Sequence, residues 1–161
     1  MRVWGFGLAA LVLVLDQLTK LWALDALANP PVRIQVLPFW NFVLVWNRGV
    51  SFGLFGEGGL SPLALSAITG AIALGVAVWL IRARSWWTAI AAGLVLGGAI
   101  GNIIDRLAYG AVVDFIDWHA YGYHWPVFNI ADAGITLGVM VLIAESLFAG
   151  RKGPKSPQEQ E

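Results

Sequence analysis

Two aspartates in this chain, Asp114 and Asp132, have no basic residue beside them and lie in or next to strongly apolar segments. When two carboxyl groups share a partly desolvated site, they cannot both ionise easily. One keeps its proton and serves as an acid, while the other serves as a base. Such a pair can activate water against a peptide carbonyl and protonate the leaving nitrogen. The pair therefore indicates a hydrolytic site with two aspartates, without identifying its substrate.

The composition indicates an integral membrane protein. Of the 161 residues, 58% are hydrophobic and 12% are charged, and that charged share is about half the share in an ordinary soluble domain. The formal net charge of zero excludes a basic nucleic-acid-binding protein and a highly charged disordered chain. The absence of cysteine excludes disulfides, thiolate catalysis and iron–sulfur clusters.

Long uncharged stretches predict the membrane-spanning helices that must position the aspartates. The stretches between Glu57 and Arg82 and between Arg84 and Asp105 contain 24 and 20 residues, enough to cross a bilayer core as helices. The predicted fold class is an all-α membrane protein with a single domain at 1–150 and a disordered cytoplasmic tail at 151–161. The four helices are predicted at about 3–24, 60–81, 86–107 and 129–149.

The first apolar run has an alternative interpretation as a cleaved signal peptide, because Ala26-Leu27-Ala28 resembles a small-residue cleavage site. Its length and the two charged residues inside it, Asp16 and Lys20, favour a retained helix over a signal peptide.

Two segments between the helices are too long and too amphipathic for idle loops. Residues 29–59 contain an alternation of apolar and polar residues at 32–36, which is typical of a strand. Residues 108–128 mix aromatic residues with two Asp and two His. We predict a small extracytoplasmic β-rich platform from the first segment and an amphipathic outer loop from the second. The alternative is that both segments are only lids that pack on the helix ends.

The basic residues predict the direction of the chain. An even number of spans places both termini on the same side, and that side carries six Lys and Arg in its ends and loops against two on the other side. By the positive-inside rule, both termini are expected in the cytoplasm. The six are Arg2, Arg82, Arg84, Arg151, Lys152 and Lys155, and the two are Arg33 and Arg48.

Further polar residues lie inside the predicted helices, where an ionisable group costs at least about 2.5–3.5 kcal/mol. Asp16 and Lys20 share a helix face at i and i+4, and the simplest interpretation is mutual neutralisation. Asp105 beside Arg106, together with Asn102, is expected to form an ion-paired network that braces the third helix. All of these groups fall near the outer leaflet, while the inner half of the membrane has almost no polar residues. This asymmetry disfavours a channel or a carrier.

Several other residues have ordinary structural explanations. We expect Asp117 to be a solvated carboxylate at the interface, and we expect no metal site at His119 and His124 because nothing sets their geometry. The small-residue ridge at Gly97, Gly98 and Gly101 predicts close helix packing. A serine mechanism, with Ser51, Ser61 or Ser66 activated by Lys20, is a weaker alternative.

Five motifs, in order and over nearly the whole chain, resemble those of lipoprotein signal peptidase (signal peptidase II), an aspartyl peptidase family of bacterial inner membranes. Two small residues depart from the family's usual pattern, Ser51 where Ala is usual and Ala133 where Ser often stands. The departures put fine substrate preference in doubt and leave the chemistry intact. The motifs are D-Q-L-T-K at 16–20, N-R-G-V-S-F-G at 47–53, G-G-A-I-G-N-I-I-D-R at 97–106, V-V-D-F at 112–115 and F-N-I-A-D at 128–132.

The resemblance implies an endopeptidase that removes signal peptides from prolipoproteins already carrying diacylglycerol on a cysteine, cutting just before that cysteine. It implies Asp114 and Asp132 as the catalytic pair and no metal or other cofactor. Expected partners are lipidated prolipoproteins, membrane lipids and globomycin-type inhibitors, and we expect a monomer in the bacterial inner membrane with its site near the outer leaflet. Residues expected to orient the pair or hold substrate are Asn47, Gly49, Asn102, Arg106, Asn129 and Ala131. Residues expected to give structural polar support are Asp16, Lys20 and Asp105.

Two rival functions belong to other classes. A small ion or proton carrier would use Asp16, Lys20, Asp105 and Asp132 as relay groups and would survive the loss of Asp114. A non-catalytic assembly partner would use the glycine ridge for docking and would need neither aspartate of the pair.

Overall fold

The computed structural model describes residues 1–49 and 60–149. Four helices in this part of the chain are long and apolar enough to cross a membrane, as the sequence predicts. Ser51, most of the glycine-rich motif around it and the tail at 151–161 lie outside the described residues. The helices are α1 (Arg2–Ala28), α2 (Pro62–Ile81), α3 (Trp86–Tyr109) and α4 (Ile130–Ala149). The strands are β1 (Ile34–Leu37), β2 (Trp40–Asn47), β3 (Val112–Ala120) and β4 (Tyr123–His124).

Helix α1 is longer than predicted and ends at Ala28. Its apolar face continues beyond Leu24 because Leu27 is buried beneath the sheet. The helix stops where Pro30 follows Asn29, since a proline disfavours helical backbone in the residue before it. The sequence prediction stopped too early because it followed hydrophobicity alone.

Helix α3 lies at the centre of the bundle and packs against the other three helices. The predicted glycine ridge allows this packing. Gly97 lies against the backbone carbonyl of Ala9 in α1, and Gly98 lies against the backbone carbonyl of Ala131 in α4. A side chain at either glycine would overlap the neighbouring backbone, so the ridge serves close helix packing as predicted.

Hydrogen bonds at helix ends also join α3 to α4. Ser85 caps α3 by accepting the backbone N–H of Thr88 at 2.9 Å. The Glu145 carboxylate of α4 accepts the hydroxyls of Ser85 and Thr88, and an anion is favoured at the N-terminus of a helix. At the other end of α4, the side chain of Asn129 accepts the backbone N–H of Asp132 at 2.9 Å, an N-cap that the sequence predicts.

The two long segments between helices form one antiparallel sheet of order β1-β2-β3-β4. The predicted β-rich platform is confirmed, but the segment at 108–128, predicted as an outer loop, also supplies strands to it. The second segment supplies β3, which pairs with β2 so that Asp114 faces Val45 in the register. Residues 112–117 are all buried, and a strand buried on both faces lacks the apolar–polar alternation by which strands are recognised.

The sheet packs on the end of α1 through an apolar cluster. Ala23 and Leu27 of α1 meet Phe115 and Ile116 of β3, and partly buried aromatic side chains of β2 surround them. The segments therefore pack on a helix end, as the lid alternative states, but as a continuous sheet. Because α3 ends on Gly110 with a φ of +72°, a conformation that glycine adopts at little cost, the chain enters β3 directly from α3.

Asp117 is buried, contrary to the prediction of a solvated carboxylate. It is 4% exposed and accepts the side-chain N–H of Asn41 at 2.9 Å, while Nδ1 of His124 lies 2.7 Å from its other oxygen. Burial acts to raise the pKa of Asp117, but the hydrogen bonds from His124 and Asn41 outweigh it and hold that pKa below its ordinary value. Within the described ranges, no group of three His, Cys, Asp or Glu could hold a metal ion.

We expect Gly98→Ala to destabilise the protein, because the added Cβ would overlap the Ala131 carbonyl. Overpacking of this kind costs about 1–3 kcal/mol, which a lower midpoint of thermal unfolding in detergent would reveal. Gly75→Ala in α2 is the matched control, since a Cβ there meets nothing within 4 Å. Equal midpoints for the two variants would contradict the role of Gly98 in helix packing.

Candidate active site

Asp114 and Asp132 are brought together by asparagine side chains. The side-chain N–H of Asn129 donates to Oδ1 of Asp114 at 2.7 Å, and the backbone N–H of Asn129 donates to Oδ2 of Asp132 at 3.3 Å. Asn47 donates to Oδ2 of Asp114 at 2.9 Å, and Asn102 donates to Oδ1 of Asp132 at 2.8 Å. Each of the four carboxylate oxygens therefore accepts one N–H hydrogen bond from an asparagine.

Different elements position these groups. Asp114 is in β3, paired with β2, and Asn47 is the last residue of β2. Asn129 and Asp132 begin α4, while Asn102 comes from the centre of the bundle on α3. The site therefore exists only where the sheet meets the ends of α3 and α4.

The two aspartates differ in their surroundings. Asp114 is 1% exposed, whereas Asp132 is half-buried and faces a groove. Burial, together with repulsion from the Asp132 carboxylate, raises the pKa of Asp114 to about 6, against the opposing effect of hydrogen bonds from Asn47 and Asn129. The arrangement thus gives one carboxyl group that holds a proton more tightly than an ordinary aspartate and one that meets the open groove.

The groove, which we call the α4 groove, has a volume of about 640 Å³. Asp132, Thr136 and Met140 lie one helical turn apart on one face of α4 and form part of its wall, and Trp118 and Phe128 line it at the sheet end. It is mostly apolar and runs from the Asp132 carboxylate along α4 as far as Met140. The spacing at i, i+4 and i+8 from Asp132 is a signal that the sequence offers for this wall, but the sequence prediction did not use it.

A buried ion cluster lies behind the pair. The ammonium of Lys20 is 2.8 Å from Asp16 and 2.8 Å from Asp105, and it donates to the side-chain oxygen of Asn102 at 3.1 Å. The predicted Asp16–Lys20 pair is confirmed. The predicted pairing of Asp105 with Arg106 is wrong, because neighbouring side chains on a helix point in different directions. Arg106 instead donates to the backbone carbonyl of Asn102 at 3.3 Å.

The cluster holds the site's backbone in place. Asp16 accepts the backbone N–H of Ala131 at 2.8 Å, which joins α1 to the first turn of α4. Asp105 accepts the backbone N–H of Val113 at 3.0 Å, which joins α3 to β3 beside Asp114. Gly101 leaves room for the Asp16 carboxylate, since a Cβ there would overlap it.

The structure shows the contacts of two further residues that the sequence predicts to orient the pair or hold substrate. Ala131 is fully buried and packs against Gly98. Gly49, with a φ of +93°, donates its backbone N–H to the side chain of Asn47 at 2.9 Å. The sequence analysis missed Gln17, whose amide lies 3.2 Å from both Asp16 and Asp105, because that motif position carried no predicted role.

Comparison with known proteins identifies the family of this chain. The family model described as Signal peptidase (SPase) II matches residues 8–148. The chain belongs to the signal peptidase II family. It is therefore a peptidase of the membrane, in keeping with its four apolar helices.

Similar relatives and structures cover nearly the whole chain. The protein named lipoprotein signal peptidase from Methylobacterium radiotolerans is 52% identical, and the one from Methylorubrum extorquens is 49% identical. The matches cover 94% and 98% of this chain and 91% and 92% of those relatives. Two solved structures, both described as bacterial membrane enzymes obtained by the in meso method, are similar with TM-scores of 0.78 and 0.77 and identities of 30% and 31%. They cover 96% and 89% of this chain, and this chain covers 94% and 92% of them.

We expect Asp114→Asn to become more stabilising, relative to the wild type, as the pH rises from about 4 to about 6. The native pKa of Asp114 lies near 6 and its ordinary value is 3.8, so the native wild type binds this proton more tightly than the unfolded chain. Its stability therefore falls as pH rises through that window, and the variant lacks this loss. Thermal unfolding midpoints of both proteins in detergent between pH 4.5 and 7.5 check this. A midpoint difference, taken as variant minus wild type, that decreases with rising pH would contradict it.

Proposed function

We propose that this peptidase removes the signal peptide from prolipoproteins that carry diacylglycerol on a cysteine, and that it cuts the peptide bond just before that cysteine. The observation that carries the proposal is the carboxylate pair at the mouth of an apolar groove along a membrane-spanning helix. Such a groove suits a substrate that is itself apolar and anchored in the bilayer. The names of the relatives support the same substrate class.

The surroundings of the two aspartates support a division of roles. Asp132 meets the groove and acts as the base, taking a proton from a water molecule whose oxygen attacks the carbonyl carbon of the scissile bond. Asp114, buried and with a raised pKa, donates its proton to the carbonyl oxygen and regains it when the tetrahedral intermediate collapses. Asp132 passes its proton to the leaving nitrogen. The products are the carboxyl end of the signal peptide and the free amino group of the lipidated cysteine.

We also infer the placement in the cell. The end of the bundle opposite the sheet carries the start of α1 and the connection between α2 and α3, with Arg2, Arg82 and Arg84. We assign that end to the cytoplasm, so that the sheet and the aspartates lie at the outer leaflet of the bacterial inner membrane. We treat residues 1–150 as one peptidase unit that acts as a monomer, and we expect globomycin to occupy the α4 groove.

We expect Asp114→Asn and Asp132→Asn each to lower cleavage by at least about a thousandfold, because either change removes half of the acid–base pair. A gel-shift assay in detergent with a precursor carrying or lacking diacylglycerol measures this, and only the lipidated precursor should be cut. Asp25→Asn on α1 replaces an exposed aspartate and serves as the control, with near wild-type turnover. An Asn variant that keeps most of its turnover would remove that aspartate from the pair. Ion or proton transport in vesicles that depends on membrane potential and survives the loss of Asp114 would instead favour the rival function of a carrier.

The kcat/KM of the proposed reaction is expected to fall on the alkaline side of its pH profile. As pH rises through the pKa of Asp114, about 6 in the free enzyme, the acid loses its proton and the rate falls. In kcat the alkaline limb should lie at higher pH, because bound substrate displaces water and raises the pKa of the buried acid further. A kcat/KM that keeps rising above pH 8 would exclude Asp114 as the acid.

A further inference from the structure

Two of the three asparagines around the carboxylates have their amide orientation set by backbone groups. The side-chain oxygen of Asn47 accepts the backbone N–H of Gly49 at 2.9 Å, and the side-chain oxygen of Asn129 accepts the backbone N–H of Asp132 at 2.9 Å. Because each oxygen is held on one side, each NH₂ group must face the other side, where Asp114 accepts it. These two amides need no further support.

Asn102 differs because it lies inside a helix, where the backbone N–H groups are already used by the helix itself. Within the part of the chain that the structure describes, two side chains reach its amide oxygen. Lys20 donates at 3.1 Å, and Asn129 lies at 3.3 Å while making its shorter bond, 2.7 Å, to Asp114. The orientation of the Asn102 amide therefore depends chiefly on Lys20.

The Lys20 ammonium makes all of its hydrogen bonds inside the protein. It is 2% exposed, and its three N–H groups are matched by three acceptors, on Asp16, Asp105 and Asn102. An ammonium held in this way has no proton or lone pair free for substrate. This placement also leaves no role for Lys20 as the base of a serine mechanism.

We propose that Lys20 is a positioning residue of the peptidase, which fixes the Asn102 side chain with its oxygen toward the ammonium and its NH₂ toward Asp132. The inference rests on the proposed function, in which Asp132 acts as the base. If the Asn102 amide turned over, its oxygen would face Oδ1 of Asp132 at the distance where the NH₂ now donates, 2.8 Å. The two oxygens would repel one another, and the carboxylate would lose the hydrogen bond that holds it toward the groove.

A matched pair of variants separates the donor from the charge. Lys20→Gln and Lys20→Met both remove the positive charge and have side chains of equal length, but only glutamine keeps an N–H to donate to Asn102. We expect the Met variant to have a kcat at least about tenfold below that of the Gln variant, with KM values within about threefold of each other. Equal kcat values in two folded variants would overturn the proposal.

Lys20→Gln and Lys20→Met are also each combined with Asp105→Asn. The double variants lose one negative charge together with the positive charge of Lys20. This background decides the comparison if the single variants fail to fold, because it avoids leaving two buried carboxylates with no cation between them. Again, a Gln variant faster than its Met partner supports the proposal, and equal rates overturn it.

The unmodified chain gives an independent measurement. The chain has five asparagines, so labelling with ¹⁵N-asparagine gives few side-chain amide signals, and Asn102→Ser identifies the one that is lost. We expect the Asn102 NH₂ protons to exchange with solvent far more slowly than those of the exposed Asn29. Exchange as fast as at Asn29 would overturn the fixed orientation. A wild-type chain that cuts no lipidated precursor would overturn the proposed function, while this measurement would still decide whether the Asn102 amide is held in place.

Discussion

The structure depends on one buried ammonium. Lys20 lies between the carboxylates of Asp16 and Asp105, at 2.8 Å from each, and taking such charges out of water costs several kcal/mol per ion. That cost is offset only when every charged group is paired and hydrogen-bonded, and the cluster meets this condition. Because its members come from α1 and α3, neither helix can slide along the other without leaving a charge unpaired in an apolar bundle.

The same cluster also holds the start of α4 and the start of β3 in place. Asp16 accepts a backbone N–H from the start of α4, and Asp105 accepts one from the start of β3. Each carboxylate thus uses one oxygen for backbone at the edge of the site. The glycine ridge of α3 allows the short distances these bonds require, since Gly98 and Gly101 leave room for Ala131 and Asp16. The close packing at the glycines therefore makes the ion cluster possible, because small residues let the charged side chains reach their partners.

The Asp114 and Asp132 carboxylates are surrounded by neutral donors. The N–H groups that reach the four oxygens of Asp114 and Asp132 all belong to asparagines. Arginine or lysine in direct contact would favour ionisation of both carboxyl groups. Amides orient the oxygens without forcing that outcome, which suits a pair that needs one proton and one negative charge at the same time. The positive charge of Lys20 does not contact the pair directly, because the Asn102 side chain lies between the ammonium and Asp132.

The sequence by itself determined the four spans, the Asp16–Lys20 pair, the glycine ridge and the cap of α4. Each of these follows from local periodicity, from composition or from spacing within one helix. The two aspartates were singled out because no basic residue lies beside them, the motifs added their asparagines, and the role of each residue in chemistry stays a prediction. Only the tertiary structure decided that Asp105 pairs with Lys20, that the outer segments form one sheet, that Asp117 is buried and that Gln17 joins the cluster. These features join residues far apart in the chain, 88 positions in the case of Gln17 and Asp105. Local sequence patterns do not encode which distant segments meet, because that depends on how whole helices and strands pack.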